Sequence, residues 1–194
     1  MDSLSEKQRE IVSATLLVIS NYGIQSLTIK RLSTELGVSE GALYKHFKSK
    51  NEIIMLLLRL FQQTFLDIYD LTTSVSETSI EKLENIFREK FRRVACCPEL
   101  VVVMDAMDLF KGNPGFTNKF MKLLDTYKTN LLRVIVEGQA TKEIKPDIEA
   151  EHIYLMIIGS IHFLMKKWAR MNNDFDIEKE GEKLWVSVKE CITG

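Results

Sequence analysis

The run Leu27-Thr28-Ile29-Lys30-Arg31-Leu32-Ser33-Thr34-Glu35-Leu36-Gly37-Val38-Ser39-Glu40-Gly41-Ala42-Leu43-Tyr44-Lys45-His46-Phe47 decides the reading of this chain. Thr28 is placed to cap a short helix whose Ile29, Leu32 and Leu36 fall on one face at 3,4 spacing, and Gly37 ends it. Ser39 is placed to cap a second short helix reaching about Phe47. A small residue (Ser33), a glycine four later (Gly37) and an apolar residue six further on (Leu43) is helix-turn-helix spacing. The reason is steric: the small residue lets two helices cross closely, glycine takes the positive-φ turn, and Val38 with Leu43 plugs the corner. Many helix corners share this pattern, so the spacing alone does not fix a function.

Outward from this corner, helix signals follow one another with short gaps. Ser3-Leu4-Ser5-Glu6 has capping-box spacing and predicts a helix from about Ser5 to Tyr22, with Gly23 just past its end. Ser49-Lys50-Asn51-Glu52 is another box, opening a long helix to about Leu71, and Thr78-x-x-Glu81 opens the next, to about Ala95. Pro98, Pro114 and Pro146 are each expected in the first turn of a helix, over about 98–111, 114–139 and 147–171, and Asp176 is expected to cap a last one. Gly and Pro number only 9 and 3, too few for a sandwich or barrel. The expectation is an all-α chain of nine helices: a three-helix domain at 1–49 and a six-helix domain at 50–194.

The net charge is −1, yet Ile24–Lys50 holds five basic residues to two acidic ones, which suggests an anionic partner at one end. Three cysteines, Cys96, Cys97 and Cys191, make neither a disulfide framework nor a metal spacing; a buried structural role is expected for the first two, and a cytoplasmic setting for the chain. The polar N-terminus argues against a signal peptide, and Ile153–Met165, at 13 residues, is short of a membrane span. His46, His152 and His162 lack ligand-type spacing, and neither a phosphate loop nor a nucleophile turn is present. No metal, cofactor or enzymatic activity is expected.

Thr28 opening the helix, Gly37-Val38-Ser39 at the turn, Gly41, then Leu43-Tyr44-x-His46-Phe47 and Lys50 at the start of the next helix resemble the DNA-binding signature of the TetR family of transcriptional regulators. The resemblance covers about residues 6–55 and departs visibly at Ser33, where the family commonly has Ala. Beyond that stretch only length and helical architecture match. It implies a DNA-binding set of Thr28, Ser39, Glu40, Gly41, Ala42, Tyr44, Lys45, His46, Lys48 and Lys50. Thr28 and Ser39 are caps that could also meet phosphates; Gly41 is either merely tolerated or lets backbone approach DNA. Tyr44 and His46 either pack on the corner or meet phosphates, while Ala42 and Lys45 fit base edges and Lys48 and Lys50 fit phosphates.

The longer helices are rich in soft and aromatic residues. The resemblance implies an effector cavity among them, with Phe61, Phe65, Phe87, Phe91, Met104, Asp105, Met107, Phe120, Tyr127 and His162 as candidate lining; from composition alone the stripe is equally a core. The last two helices resemble the family's dimer seam, with Ile157, Gly159, Ile161, Leu164, Trp168, Leu184, Trp185 and Val188 as candidates, or else they close the monomer's own core. What the resemblance implies is a homodimeric repressor on palindromic double-stranded operator DNA, released by a small apolar or aromatic effector. A corepressor-dependent regulator or activator, and a helical small-molecule-binding protein without DNA function, are the alternatives.

Overall fold

The computed structural model describes residues 5–57, 68–70, 74, 78–98, 101 and 114–194, and these fall into two compact units. Among them the ordered elements are helices, with no strand. The first unit takes in the described residues up to 57 together with 114–120; the second takes in those from 68 to 101 and 121–194.

In the first unit, α1 (Glu6–Tyr22) is opened by a capping box between Ser5 and Gln8, two residues past the predicted pair, and closed by Gly23 at φ 75°. It buries Ile11, Val12, Leu16, Val18 and Ile19. Burying each such side chain contributes roughly 1.5–3 kcal/mol. A 3-10 turn at Ile24–Ser26 leads to α2 (Ile29–Leu36), which packs on α1, and α3 (Glu40–Tyr44) packs on α2. A fourth helix, α4, runs over 50–57 and buries Ile53, Ile54, Leu56 and Leu57. Ser49 Oγ accepts from Glu52 N at 3.4 Å, while the Glu52 carboxylate accepts from Lys48 N rather than closing the predicted box.

The second unit is built on α5 (Ser79–Cys96), α6 (Pro114–Ala140, from residue 121 on), α7 (Ala150–Arg170) and α8 (Ile177–Ile192). The predicted Thr78–Glu81 box opens α5, and Asp176 caps α8 by accepting from Lys179 N at 3.0 Å. α8 packs on both α5 and α7. Its close approach to α5 depends on Gly181, where a Cβ would run into the Phe91 ring. Phe87 ties the junction together, 5.3 Å from the Phe91 ring and 5.4 Å from the Trp185 ring.

Several expectations are corrected. Pro114 opens α6 as predicted, but Pro146 lies in a turn, three residues before the Glu149 that precedes α7. That turn is fixed from outside: the Gln139 amide donates to Lys145 O and Ile148 O, and Lys145 N donates to Ile192 O. α3 ends at Tyr44 rather than Phe47, although His46 N and Phe47 N still donate to Leu43 O. Cys96 is exposed and Cys97 half-buried, because α5 ends there, beyond its last buried turn. Most of the predicted helix at 98–111 lies outside the described residues. No helix among the described residues is long and apolar enough to cross a membrane.

Candidate nucleic-acid interface

The corner between α2 and α3 is locked by short-range chemistry. Thr28, in extended backbone, accepts from Arg31 N at 3.1 Å and so caps α2. At the other end Gly37 sits at φ 64°, ψ 29°, the left-handed conformation that a side chain disfavours. Gly37 N donates to Thr34 O at 3.2 Å and Val38 N to Ser33 O at 3.0 Å, the paired bonds of a Schellman stop. Ser39 then accepts from Ala42 N at 3.2 Å and caps α3. Ser33 is buried, its hydroxyl donating to Lys30 O at 2.8 Å, so serine fills the small-residue position without leaving a buried donor unpaired. Leu27, Leu32, Leu43 and Phe47 are buried and hold the corner from inside.

The fold leaves the other side chains of the corner facing solvent. Thr28, Ser39, Glu40, Gly41, Lys45, His46 and Lys48 are exposed, and Ala42 is half-buried. Tyr44 is 50% exposed, which removes packing against the corner as the main role of its ring. Gly41 is informative by what surrounds it. A Cβ there would meet only Ser39 Oγ, at 3.9 Å, and its φ lies outside the left-handed region, so nothing inside the fold requires glycine. Lys50 stands at the N-terminus of α4, where backbone N–H groups point outward, and its partial burial holds its ammonium below the usual lysine range. A phosphate placed there would be attracted by both the helix end and the cation. Sequence reasoning did not single out Arg31, whose exposed guanidinium lies 3.7 Å above the Tyr22 ring on the same face as the Thr28 cap. Its place inside the basic stretch was the available signal.

The effector candidates divide. Phe61, Phe65, Met104, Asp105 and Met107 lie outside the described residues. Phe87, Phe91 and Tyr127 are buried in the second unit, His162 is half-buried there, and Phe120 is buried in the first. The structure brings Phe87 and Phe91 into ring contact, and Phe87 with Trp185 also walls a groove of about 270 Å³ between α5 and α8, rimmed by Glu84, Arg88 and Glu182. Lys90, which the sequence reading passed over, is buried among these residues with its ammonium over the Tyr127 ring.

The dimer candidates need revision for a packing reason. Ile157, Ile161, Trp168 and Trp185 are buried within their own unit, so they have no surface to offer a partner. Leu164, Leu184 and Val188 are half-buried. Gly159 alone of the set is exposed, with nothing within 4 Å of where a Cβ would stand. The apolar surface that α7 presents is instead Leu155, Met156 and Phe163, the last 71% exposed. Among the described residues, no cluster of three or more His, Cys, Asp or Glu could hold a metal ion.

Comparison with known proteins places this geometry. The family profile described as bacterial regulatory proteins, tetR family, matches residues 11–55, and the profile described as YsiA-like protein, C-terminal region, matches residues 61–189. The nucleoid occlusion factor SlmA of Haemophilus ducreyi is 38% identical over 193 residues, covering 96% of this chain and 93% of the relative. Among solved structures, the ketosteroid transcriptional regulator KstR2 of Mycobacterium tuberculosis matches with a TM-score of 0.86 at 20% identity, over 99% of this chain and 97% of that one. The transcriptional regulator FadR from Bacillus subtilis, solved in complex with stearoyl-CoA, matches with a TM-score of 0.76 at 22% identity, over 93% and 96%.

Proposed function

The chain belongs to the TetR family of bacterial regulatory proteins, and from that premise we propose that it is a homodimeric, ligand-responsive transcriptional repressor acting on a palindromic operator. The observation that carries this reading is the solvent-facing surface of the corner: hydroxyls, a phenol, an imidazole and lysines around a glycine that the fold itself does not need. In the proposed complex α3 enters the major groove, Ala42 and Lys45 meet base edges, and Gly41 lets the backbone approach. Thr28, Ser39, Tyr44, His46, Lys48 and Lys50 meet phosphates, with Glu40 at the edge of the set.

One short reader touches few bases, so two are needed, about 34 Å apart or a multiple of that. The exposed Leu155, Met156 and Phe163, flanking the bare backbone of Gly159, are the surface through which α7 pairs with its copy. Residues 1–49 serve as the reader, and 50–194 as the effector and dimerisation domain. The effector is a bulky apolar molecule, as the relatives' names suggest: one is a ketosteroid regulator and one was solved with stearoyl-CoA. A coupling of about 1–3 kcal/mol between effector and operator is enough to shift DNA affinity some 5–150-fold.

The test selects operator fragments from genomic DNA and titrates the complex with stearoyl-CoA. Release of a palindromic fragment supports the reading. Tighter binding with ligand would make the chain corepressor-dependent, and failure to select any DNA would leave a small-molecule-binding protein. A second reading follows from the 38% identity to a nucleoid occlusion factor: many selected sites spread along the chromosome, with affinity indifferent to any acyl ligand, would favour it.

A further inference from the structure

Helix α5 turns one stripe into the core of its unit: Leu83, Ile86, Phe87, Lys90, Phe91 and Val94. Five are apolar and the sixth carries an ammonium. Lys90 is 4% exposed and is the one charged side chain buried among the described residues. Its Nζ lies 4.4 Å from the centroid of the Tyr127 ring, which α6 supplies from its own buried stripe of Leu123, Tyr127 and Leu131. Tyr154 of α7 is near enough for its charge to raise the Tyr127 phenol further, beyond the larger effect of burial. Three helices of one unit thus gather an amine and two phenols inside an apolar lattice. Burial pushes the Lys90 ammonium down to about 7.

A cation held there costs the fold stability that a methionine of similar length would not. The same burial makes the position a strong anion receptor, because opposite charges attract most where water has been removed. We propose that Lys90, backed by the Tyr127 ring, receives the acidic end of the effector, so that the effector is an apolar molecule bearing a carboxylate. This rests on the ligand-responsive repressor reading and narrows it. A carboxylate oxygen accepts from Lys90 Nζ, while the ring face of Tyr127 supports the ammonium from its other side. A thioester such as an acyl-CoA, whose charges lie far from its acyl carbonyl, offers Lys90 only a neutral acceptor.

The experiment compares decanoate with decan-1-ol by calorimetry on the full chain at pH 7, wild type against Lys90→Met, alongside operator release by stearoyl-CoA. The wild type is expected to bind decanoate at least about tenfold more tightly than decan-1-ol. Lys90→Met is expected to erase that preference while keeping its affinity for the alcohol. A melting temperature for the variant at or above wild type separates this loss from loss of fold. A wild type without acid preference, or a variant that keeps it, overturns the proposal and leaves the repressor reading intact if stearoyl-CoA still releases operator. So does release by stearoyl-CoA from a protein that binds neither decyl probe. If neither probe binds and stearoyl-CoA releases nothing, both fail.

Discussion

Replacing Gly41 with alanine should move stability and DNA affinity in opposite directions, and the structure sets both magnitudes. Gly41 lies in the first turn of α3, outside the left-handed backbone region, and a Cβ would touch only Ser39 Oγ at 3.9 Å. Alanine is therefore accommodated without strain and removes glycine's entropic cost, a gain of about 0.5–1 kcal/mol. For a chain of this size that corresponds to a rise of about 1–4 °C in melting temperature. On the outer side, a methyl group extends about 1.5 Å from the backbone, enough to push a closely seated phosphate or groove wall out of hydrogen-bond range. Losing one charge-assisted bond of about 1.5 kcal/mol at each of two readers amounts to about 3 kcal/mol, or roughly a hundredfold in operator affinity. Thermal melting and anisotropy titration on the same preparation read the two effects. An alanine variant that melts higher yet binds operator within twofold of wild type would refute the close approach of α3 to DNA.

Other expectations follow from single residues. The Lys90 amine sits at about 7 in the folded chain against an ordinary 10.5, so between those values the unfolded chain holds a proton that the folded one lacks, and stability climbs with pH across that window. Lys90→Met should flatten the climb and, near pH 6, exceed wild type by several kcal/mol, roughly 4–5 at most; denaturant melts at pH 6 and pH 10 that show the same slope for both proteins would contradict it. Phe163→Glu places a charge on the exposed apolar face of α7 and should weaken self-association by about a hundredfold or more without lowering the monomer's melting temperature. Light scattering across a dilution series measures this, and an unchanged dimer would put the seam elsewhere.

The reader was legible in the sequence because its chemistry is local. A hydroxyl cap acts over three residues, as at Thr28 to Arg31 and Ser39 to Ala42, and the positive φ of Gly37 is demanded by the turn it makes. Burial of Leu43 and Phe47 likewise followed from the corner's geometry. The second unit was less legible because inside and outside there are set by distant partners. Helix α7 is apolar on most of its faces, so hydropathy did not distinguish Trp168, which its own unit buries and whose indole donates to Phe175 O, from Phe163, which faces solvent. Trp185 went the same way, taken into the core by Phe87. Pro146 misled because the turn around it is tied by Gln139 and by the last turn of α8, contacts that no short window contains. Lys90 had a local signal, a lysine in register with five apolar residues, which the emphasis on aromatic and sulfur side chains hid.

The account's central claim, that α3 and its flanks read operator DNA, is tested most directly by anisotropy titration of the DNA flanking this chain's own reading frame across a salt series, with Tyr44→Ala beside wild type. Tyr44 is half-exposed in the free protein, so its removal leaves the buried core intact. The account predicts sequence-selective binding well below the non-specific range of about 10⁻⁴–10⁻⁶ M, a steep fall with salt, and weaker binding by the variant at every salt concentration. Binding that stays in the non-specific range on every sequence, with Tyr44→Ala indistinguishable from wild type, would contradict it.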